Sequence, residues 1–177
     1  MFSTPGMMSR MGDHQRTEPP RESDERATLS GFLQYQRETL AMKCAGLTTE
    51  QLRRRAVPPS ELSLLGLVRH MAEVERGWFR RVLNGENIAR RWIRESGEYA
   101  DFDVDAADGE EAFGAWQEEC ARSRALVDAA ESLDVVGRRG DEVFSLRWIL
   151  THMIEEYARH NGHADLLRER IDGSTGE

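Results

Sequence analysis

The amino-acid sequence predicts an all-α protein folded as an antiparallel four-helix bundle. Apolar residues recur at three-to-four spacing in four long segments, which is the period of an amphipathic helix. Proline, glycine or polar stretches separate these segments, and no segment shows the alternation typical of a strand. Four amphipathic helices bury their apolar faces most simply by packing together as a bundle.

The chain length and composition indicate one globular domain. The chain has 177 residues, of which 39% are hydrophobic and 32% are charged, a balance that supports a single packed core. Residues 1–24 contain three prolines and two glycines without an apolar period, so we expect a disordered tail there. The domain then covers residues 25–173, and residues 174–177 form a short second tail.

The first half of the domain contains two long predicted helices. The first covers residues 24–47, and residues 48–52 form one further turn before the Pro58-Pro59 pair, which blocks continuation. Ser60 is a suitable N-cap for the second helix, which runs to Leu83 and ends at Asn84-Gly85.

The second half contains two more helices, over residues 109–132 and 145–171, with a glycine-containing break at 137–140. A long acidic connection over residues 86–108 precedes them and carries three aromatic residues. Connections of this length often cover a functional site. It is equally consistent with a surface loop whose aromatic side chains cap the open end of the core.

Charge and cysteine content exclude several classes of function. With 24 basic and 32 acidic residues the net charge is −8, which opposes nonspecific binding to nucleic acid or to anionic membranes. We find neither a membrane-spanning segment nor a signal peptide and expect a cytoplasmic protein. Cys44 and Cys120 fall at apolar helix positions, so we expect buried free thiols.

The last predicted helix carries an unusual pair of side chains. On its helical wheel His160 lies with the apolar residues, and Glu156 lies one turn before it near the same face. A buried carboxylate must be compensated, either by a metal ion or by hydrogen bonds to tyrosine or arginine. Residues at i and i+4 can bind one ion together. The other histidine of the folded region outside this helix is His70, at the edge of the apolar face of the second helix, which makes it a compatible third ligand.

Several familiar catalytic motifs are absent from the sequence. His152 is followed by methionine, so the segment is not the His-Glu-x-x-His motif of zinc proteases. There are no paired Glu-x-x-His motifs of di-iron bundles, no glycine-rich phosphate loop and no Gly-x-Ser-x-Gly elbow. Hydrolases of those types are therefore excluded.

Two segments resemble the DinB-like superfamily, and within it the branch named after a mini-circle protein. They are residues 67–78 (LVRHMAEVERGW) and 155–169 (EEYARHNGHADLLRE), and the resemblance extends over residues 28–173. It implies a DinB-like four-helix bundle with a divalent metal, usually zinc or nickel. The implied ligands are His70, Glu156 and His160.

Glu156 occupies a position that is commonly histidine in the superfamily, although the related mycothiol-dependent maleylpyruvate isomerase also has glutamate there. His163 stands where other branches often have glutamine, so we expect it either to donate a hydrogen bond to a ligand or to serve as an alternative ligand. We expect the same of His152, one turn before Glu156.

The resemblance suggests a metal-dependent transfer or isomerisation that uses a low-molecular-weight thiol such as mycothiol. The expected partners are then a small-molecule thiol and an electrophile, with no nucleic acid and no membrane. The alternative is a non-catalytic bundle that binds a metal or a small molecule, or forms a homodimer, in a stress response.

Overall fold

The computed structural model describes residues 16–176 and is mostly helical, with one small antiparallel hairpin. In chain order the elements are α1 (Glu25–Cys44), α2 (Thr49–Arg53), α3 (Leu64–Glu75), a π-helical continuation of α3 (Arg76–Leu83), α4 (Gly109–Ala129), β1 (Val136–Arg139), β2 (Glu142–Ser145) and α5 (Leu146–Asp172). No helix within residues 16–176 combines the length and apolar character that a membrane crossing requires.

The helix ends follow from local capping chemistry. The Asp24 carboxylate accepts a hydrogen bond from the Ala27 amide at the start of α1, and the Ser145 hydroxyl does the same for Trp148 at the start of α5. Gly173 ends α5 in the left-handed conformation that favours glycine. One predicted cap is wrong: Ser63, not Ser60, caps α3, by accepting from the Gly66 amide.

The second predicted helix is one helical segment, but its last eight residues are π-helical. There the Asn84 amide donates to the Phe79 carbonyl at 3.0 Å, five residues back rather than four. Such wide turns are uncommon and occur frequently at functional sites.

The α1 and α5 helices run parallel, because their two starts and their two ends lie together. Arg147 pairs with Glu25 at 2.7 Å near the starts, and Lys43 pairs with Asp165 at 2.6 Å toward the ends. The α3 segment runs antiparallel to α5, since its early residue His70 meets His160 and its later residue Trp78 meets His152.

The α4 helix runs antiparallel to α1, because Arg26 at the start of α1 donates to the Val127 carbonyl near the end of α4. It follows that α3 and α4 are parallel. The expected antiparallel arrangement therefore does not hold for the α1–α5 and α3–α4 pairs. The cause is the connection over residues 84–108, which returns the chain to the end where α3 began: Arg53 of α2 donates to the Ala107 carbonyl at 2.8 Å.

The β1–β2 hairpin corrects the expectation that the chain has no strand. Val136 pairs with Ser145 and Arg139 with Glu142, around a turn that contains Gly140 with positive φ. Gly137 of β1 lies directly against the end of the π-helical segment, where an added Cβ would meet the Val82 carbonyl oxygen at 2.2 Å. The hairpin is therefore packed on the helices by backbone contact at a glycine.

The predicted N-terminal tail divides into two parts. Residues 1–15 lie outside the described part of the chain, so the disorder expected there stays a prediction. Residues 16–24 contact α1: the Thr17 amide donates to Glu38 at 2.5 Å, and the Arg16 guanidinium lies 4.5 Å from the centre of the Tyr35 ring.

One buried polar network crosses the core. Arg37 of α1 donates to both carboxylate oxygens of Glu75 on α3, at 2.7 and 2.8 Å, and the Tyr157 hydroxyl of α5 also donates to Glu75 at 2.9 Å. Trp116 of α4 donates to the Tyr157 hydroxyl at 2.8 Å. Glu75 is fully buried, and the network joins the four long helices. Cys44 and Cys120 are buried free thiols, as the sequence predicts.

Candidate metal centre

Three side chains that the sequence singles out come together between α3 and α5. They are His70, Glu156 and His160, and one ligand atom from each lies within 4.8 Å of the other two. Glu156 and His160 are one turn apart on α5, and the antiparallel approach of α3 brings the His70 ring to 4.8 Å from the His160 ring. The convergence of the three follows from helix spacing on one element and from helix packing between two.

His70 is held by residues of the long connection. Its Nδ1 lies 2.8 Å from Asp101 Oδ2, which leaves Nε2 free for a ligand bond, and Phe102 stacks on its ring at 5.1 Å. Gly66 makes this possible, because a Cβ there would lie 2.8 Å from the Phe102 ring. A carboxylate that binds the second nitrogen of a histidine is the usual support for a metal-ligating imidazole.

Asp101 is itself buried, and its environment favours the ionised form. Burial alone would raise its pKa, but the hydrogen bond with His70 acts in the opposite direction and the net effect lowers the pKa of the carboxyl. An ionised Asp101 selects the His70 tautomer with its proton on Nδ1.

Glu156 lies between two histidines. Its carboxylate oxygens are 3.3 Å from His160 Nε2 and 3.5 Å from His152 Nε2. The Glu156 side chain is 25% exposed and that of His160 12%, so both line an accessible edge of the core instead of its interior. Tyr157 is the residue of this turn that is fully buried.

His160 carries a strongly shifted pKa. Burial, and then the neighbouring His70, lower it from 6.5 to about 4, and Glu156 offsets only part of this effect. The imidazole is therefore neutral at physiological pH, which is the form that binds a metal ion.

The alternative explanation for Glu156, hydrogen bonds to tyrosine or arginine, is not what the structure shows. Tyr157 and Arg37 both bond to Glu75, whereas the ion pairs of Glu156 within residues 16–176 are with His152 and His160. The carboxylate thus faces two imidazoles and no permanent cation.

The two remaining histidines of α5 lie around this group. His163 Nδ1 is 3.4 Å from His160 Nδ1, and His152 stacks on Trp148 at 4.8 Å. His152 also forms a second group of potential ligand atoms with Glu155 and Glu156, in which Glu155 is exposed.

The donor set fits a divalent transition metal. Two imidazoles and one carboxylate are ligands that zinc takes at about 2.0–2.2 Å, so the donors would lie within about 4.4 Å of one another. The observed limit of 4.8 Å needs only small side-chain rotations to reach that geometry. Three protein ligands leave coordination positions open, as in catalytic sites.

A cleft of about 490 Å³ opens beside His70. Aromatic and charged side chains from the π-helical segment, the connection and the hairpin line it, among them Trp78, Arg81, Tyr99 and Arg138. Of the three potential ligands, His70 therefore borders a space large enough for a small molecule.

Sequence reasoning did not find Asp101 and Phe102. The only signal was the acidic and aromatic character of residues 86–108, a region with seven acidic residues and three aromatics. Of the two interpretations of this connection, the contacts of Asp101 and Phe102 with His70 favour the one in which it covers a site.

Comparison with known proteins adds one positive finding. No curated protein matches the sequence. A family model described as mycothiol-S-transferase matches residues 28–173, nearly the whole domain and the same stretch that carries the resemblance to DinB-like proteins. The chain belongs to the mycothiol S-transferase family, which is a DinB-like family.

Proposed function

We propose that this protein is a divalent-metal-dependent S-transferase that joins a low-molecular-weight thiol, mycothiol or a similar molecule, to an electrophile. The observation that carries the proposal is the convergence of His70, Glu156 and His160 within 4.8 Å, at a group of which one member, His70, lines an open cleft. Membership of the mycothiol S-transferase family supports the choice of thiol and of reaction. We take the four long helical segments to form the DinB-like four-helix bundle that presents this site.

His70, Glu156 and His160 would hold the ion. Two imidazoles and one carboxylate suit several divalent transition metals, and the resemblance to DinB-like proteins favours zinc or nickel among them. When bound, such an ion lowers the pKa of a coordinating thiol and so supplies a thiolate at neutral pH. Asp101 fixes the tautomer and orientation of His70, while the partial exposure of Glu156 and His160 leaves room for the thiol. Cys44 and Cys120 are buried, and burial raises the pKa of Cys44 to about 12, so the chain's own thiols do not replace the external one.

The first test is the metal content of protein purified without an affinity tag. We expect His70→Ala, Glu156→Ala and His160→Ala each to lower metal affinity about tenfold or more, because each removes a ligand. Glu155→Ala is the matched control: it removes the adjacent carboxylate, which belongs only to the second group with His152. Full metal content in the first three variants, or its loss in Glu155→Ala with His70→Ala unaffected, would contradict the assignment.

A second measurement separates an enzyme from the alternative, a non-catalytic metal-binding bundle. Chelated protein should stay folded by circular dichroism while its S-transfer activity is lost and returns with zinc or nickel, since a structural ion is required for folding and a catalytic one is not. Unfolding on chelation, with no transfer to an electrophile under any metal, favours the alternative.

A further inference from the structure

The cleft beside His70 has a charge opposite to that of the molecule. The protein carries a net charge of −8, yet four arginines line this one cleft against two carboxylates, Glu73 and Asp101. The arginines are Arg81, Arg90, Arg138 and Arg139. Asp101 is already engaged by His70 at 2.8 Å, so the space itself is positive.

Three of these arginines have no ion-pair partner within the part of the chain that the structure describes. Among residues 16–176 only Arg139 of the four forms a salt bridge, with Glu142 at 2.9 Å. Arg90 lies over the Tyr99 ring at 3.6 Å, a contact that positions its guanidinium but leaves its N–H donors free. Unpaired guanidinium groups gathered at one cleft are suited to binding an anion.

Arg81 is the centre of this group. It is half-buried, and its Nε is enclosed without a hydrogen-bond partner. Burial is the main cause that lowers the pKa of Arg81, and the charge of Arg90 is the second. The guanidinium cation therefore lies where water and neighbouring charges stabilise it poorly. A donor left unsatisfied in this way costs free energy that an anionic ligand would recover.

Glu73 supplies a second unsatisfied atom on the same cleft. The residue is 3% exposed; its Oε1 accepts from the Arg91 amide at 2.5 Å, while its Oε2 is buried without a partner. Its negative charge also limits how much negative charge a ligand can bring, and so favours a carboxylate over a doubly charged phosphate.

We propose that this cleft binds the electrophilic co-substrate through a carboxylate, which Arg81 and Arg90 hold while Trp78 contacts the apolar part of the molecule. The inference rests on the proposed S-transferase function and names the class of the second substrate: a carboxylate-bearing electrophile. In the transfer the sulfur–carbon bond forms as the bond from carbon to the leaving group breaks; the leaving group departs with the electron pair and the thiol proton passes to solvent.

The test begins with binding, measured on chelated protein so that it does not depend on the metal or on catalysis. The probe is 4-methylbenzoate, an unreactive carboxylate, titrated by calorimetry and by intrinsic tryptophan fluorescence. We expect 4-methylbenzoate to bind. Its neutral methyl ester should bind at least about tenfold more weakly, because it lacks the charge that the arginines contact. Phenyl phosphate should also bind more weakly than the carboxylate, because its second negative charge is repelled by Glu73.

The variants assign the binding to the cleft. Arg81→Gln should weaken 4-methylbenzoate about tenfold or more, and Arg90→Gln, a change on the connection that spares the helix core, should weaken it in the same direction. Arg170→Gln is the matched control, since it removes the same charge from the exposed last turn of α5 and should leave affinity unchanged. Equal affinity for acid and ester, tighter binding of phenyl phosphate, or equal loss in Arg170→Gln would overturn the proposal.

Turnover provides the second arm. With mycothiol and metal-loaded protein, 4-(chloromethyl)benzoate should be used with a kcat/KM at least about tenfold above that of its methyl ester, after correction for their uncatalysed rates, and Arg81→Gln should abolish this preference. If the carboxylate binds but neither compound is turned over, the S-transferase function fails and the anion site stands. If both are turned over equally, the function stands and the carboxylate site fails.

Discussion

At the scale of single residues, the His70–Asp101 hydrogen bond fixes the orientation of one potential metal ligand. The Nδ1 to Oδ2 distance of 2.8 Å and the stacked Phe102 ring fix the His70 imidazole before any ligand arrives. A ligand that is already oriented loses less entropy on binding a metal.

We therefore expect Asp101→Asn to lower zinc affinity by about 10- to 100-fold, the range typical for loss of a carboxylate behind a ligating histidine. A competition titration against a chromogenic chelator measures this directly. Asp103→Asn, in the same connection but paired with Arg94 away from His70, should bind zinc like the wild type. Unchanged affinity in Asp101→Asn would mean that the carboxylate does not support the site.

The same scale shows what the sequence could predict. Glu156 and His160 share one helix, so their spacing alone predicts that they lie together. His70 lies on a different helix, so its approach to this pair depends on how the helices pack. The resemblance to DinB-like proteins is what implied that it is the third ligand. Asp101 could not be chosen from the seven acidic residues of an irregular connection, because no periodicity relates a loop residue to a neighbouring helix face.

At the scale of secondary-structure elements, the hairpin and the π-helical segment form one unit beside the cleft. Gly137 allows the β1 backbone to lie against Val82 and Leu83, and both elements contribute arginines to the cleft wall. An alanine there cannot be accommodated without moving backbone, since the nearest atom is a carbonyl oxygen.

Gly137→Ala should consequently destabilise the protein by about 1–3 kcal/mol, the cost of overpacking, as measured by urea unfolding. Gly114→Ala in α4 is the matched control: an added Cβ there meets nothing within 4 Å, so the better helix propensity of alanine should stabilise by up to about 1 kcal/mol. A Gly137→Ala variant as stable as the wild type would show that the hairpin is not packed in this way.

Element ends were predictable where a capping residue stands alone, as with Ser145 and Gly173 of α5. Ser60 and Ser63 were both suitable caps, and only packing decides for Ser63. The hairpin was missed because its strands are four residues each, carry Gly137 and arginines, and lie beside a strong helical signal. The π-helical turns leave no distinct pattern, since they shift the hydrogen-bond partner by one residue while the apolar face continues.

At the scale of the whole molecule, the buried network around Glu75 ties α1, α3, α4 and α5 together. Burial opposes the ionised form of Glu75, but the charge and hydrogen bonds of Arg37, with the Tyr157 hydroxyl, outweigh it and lower the pKa of the carboxyl below 4.5. Removing one partner of this buried ion pair should strongly destabilise the fold, because the other partner would remain as a buried unpaired charge.

Glu75→Gln should therefore lower the free energy of unfolding by about 3–5 kcal/mol near neutral pH. Because the folded pKa of Glu75 is lowered, its stabilisation is fully present above the unfolded value and is lost as pH falls through the folded one. The wild type should thus lose stability below about pH 4.5, and Glu75→Gln should lose less over the same range. Urea unfolding across this range measures both, with exposed Glu131→Gln as control; parallel pH profiles for wild type and Glu75→Gln would contradict the account.

The helix directions show why a sequence predicts packing less well than it predicts helices. Four amphipathic segments fit several bundle topologies equally, and only the path of residues 84–108 makes α3 and α4 parallel. The network partners Arg37 and Glu75 lie 38 residues apart in the sequence, and no local pattern predicts their contact.

The most direct test of the central claim is a crystal structure of zinc-loaded protein with an anomalous difference map collected at the zinc absorption edge. The account predicts one strong peak within about 2.0–2.2 Å of one donor atom each from His70, Glu156 and His160. A peak bound by His152 and Glu155 without His70, or none at these three residues in protein that retains stoichiometric zinc, would contradict it.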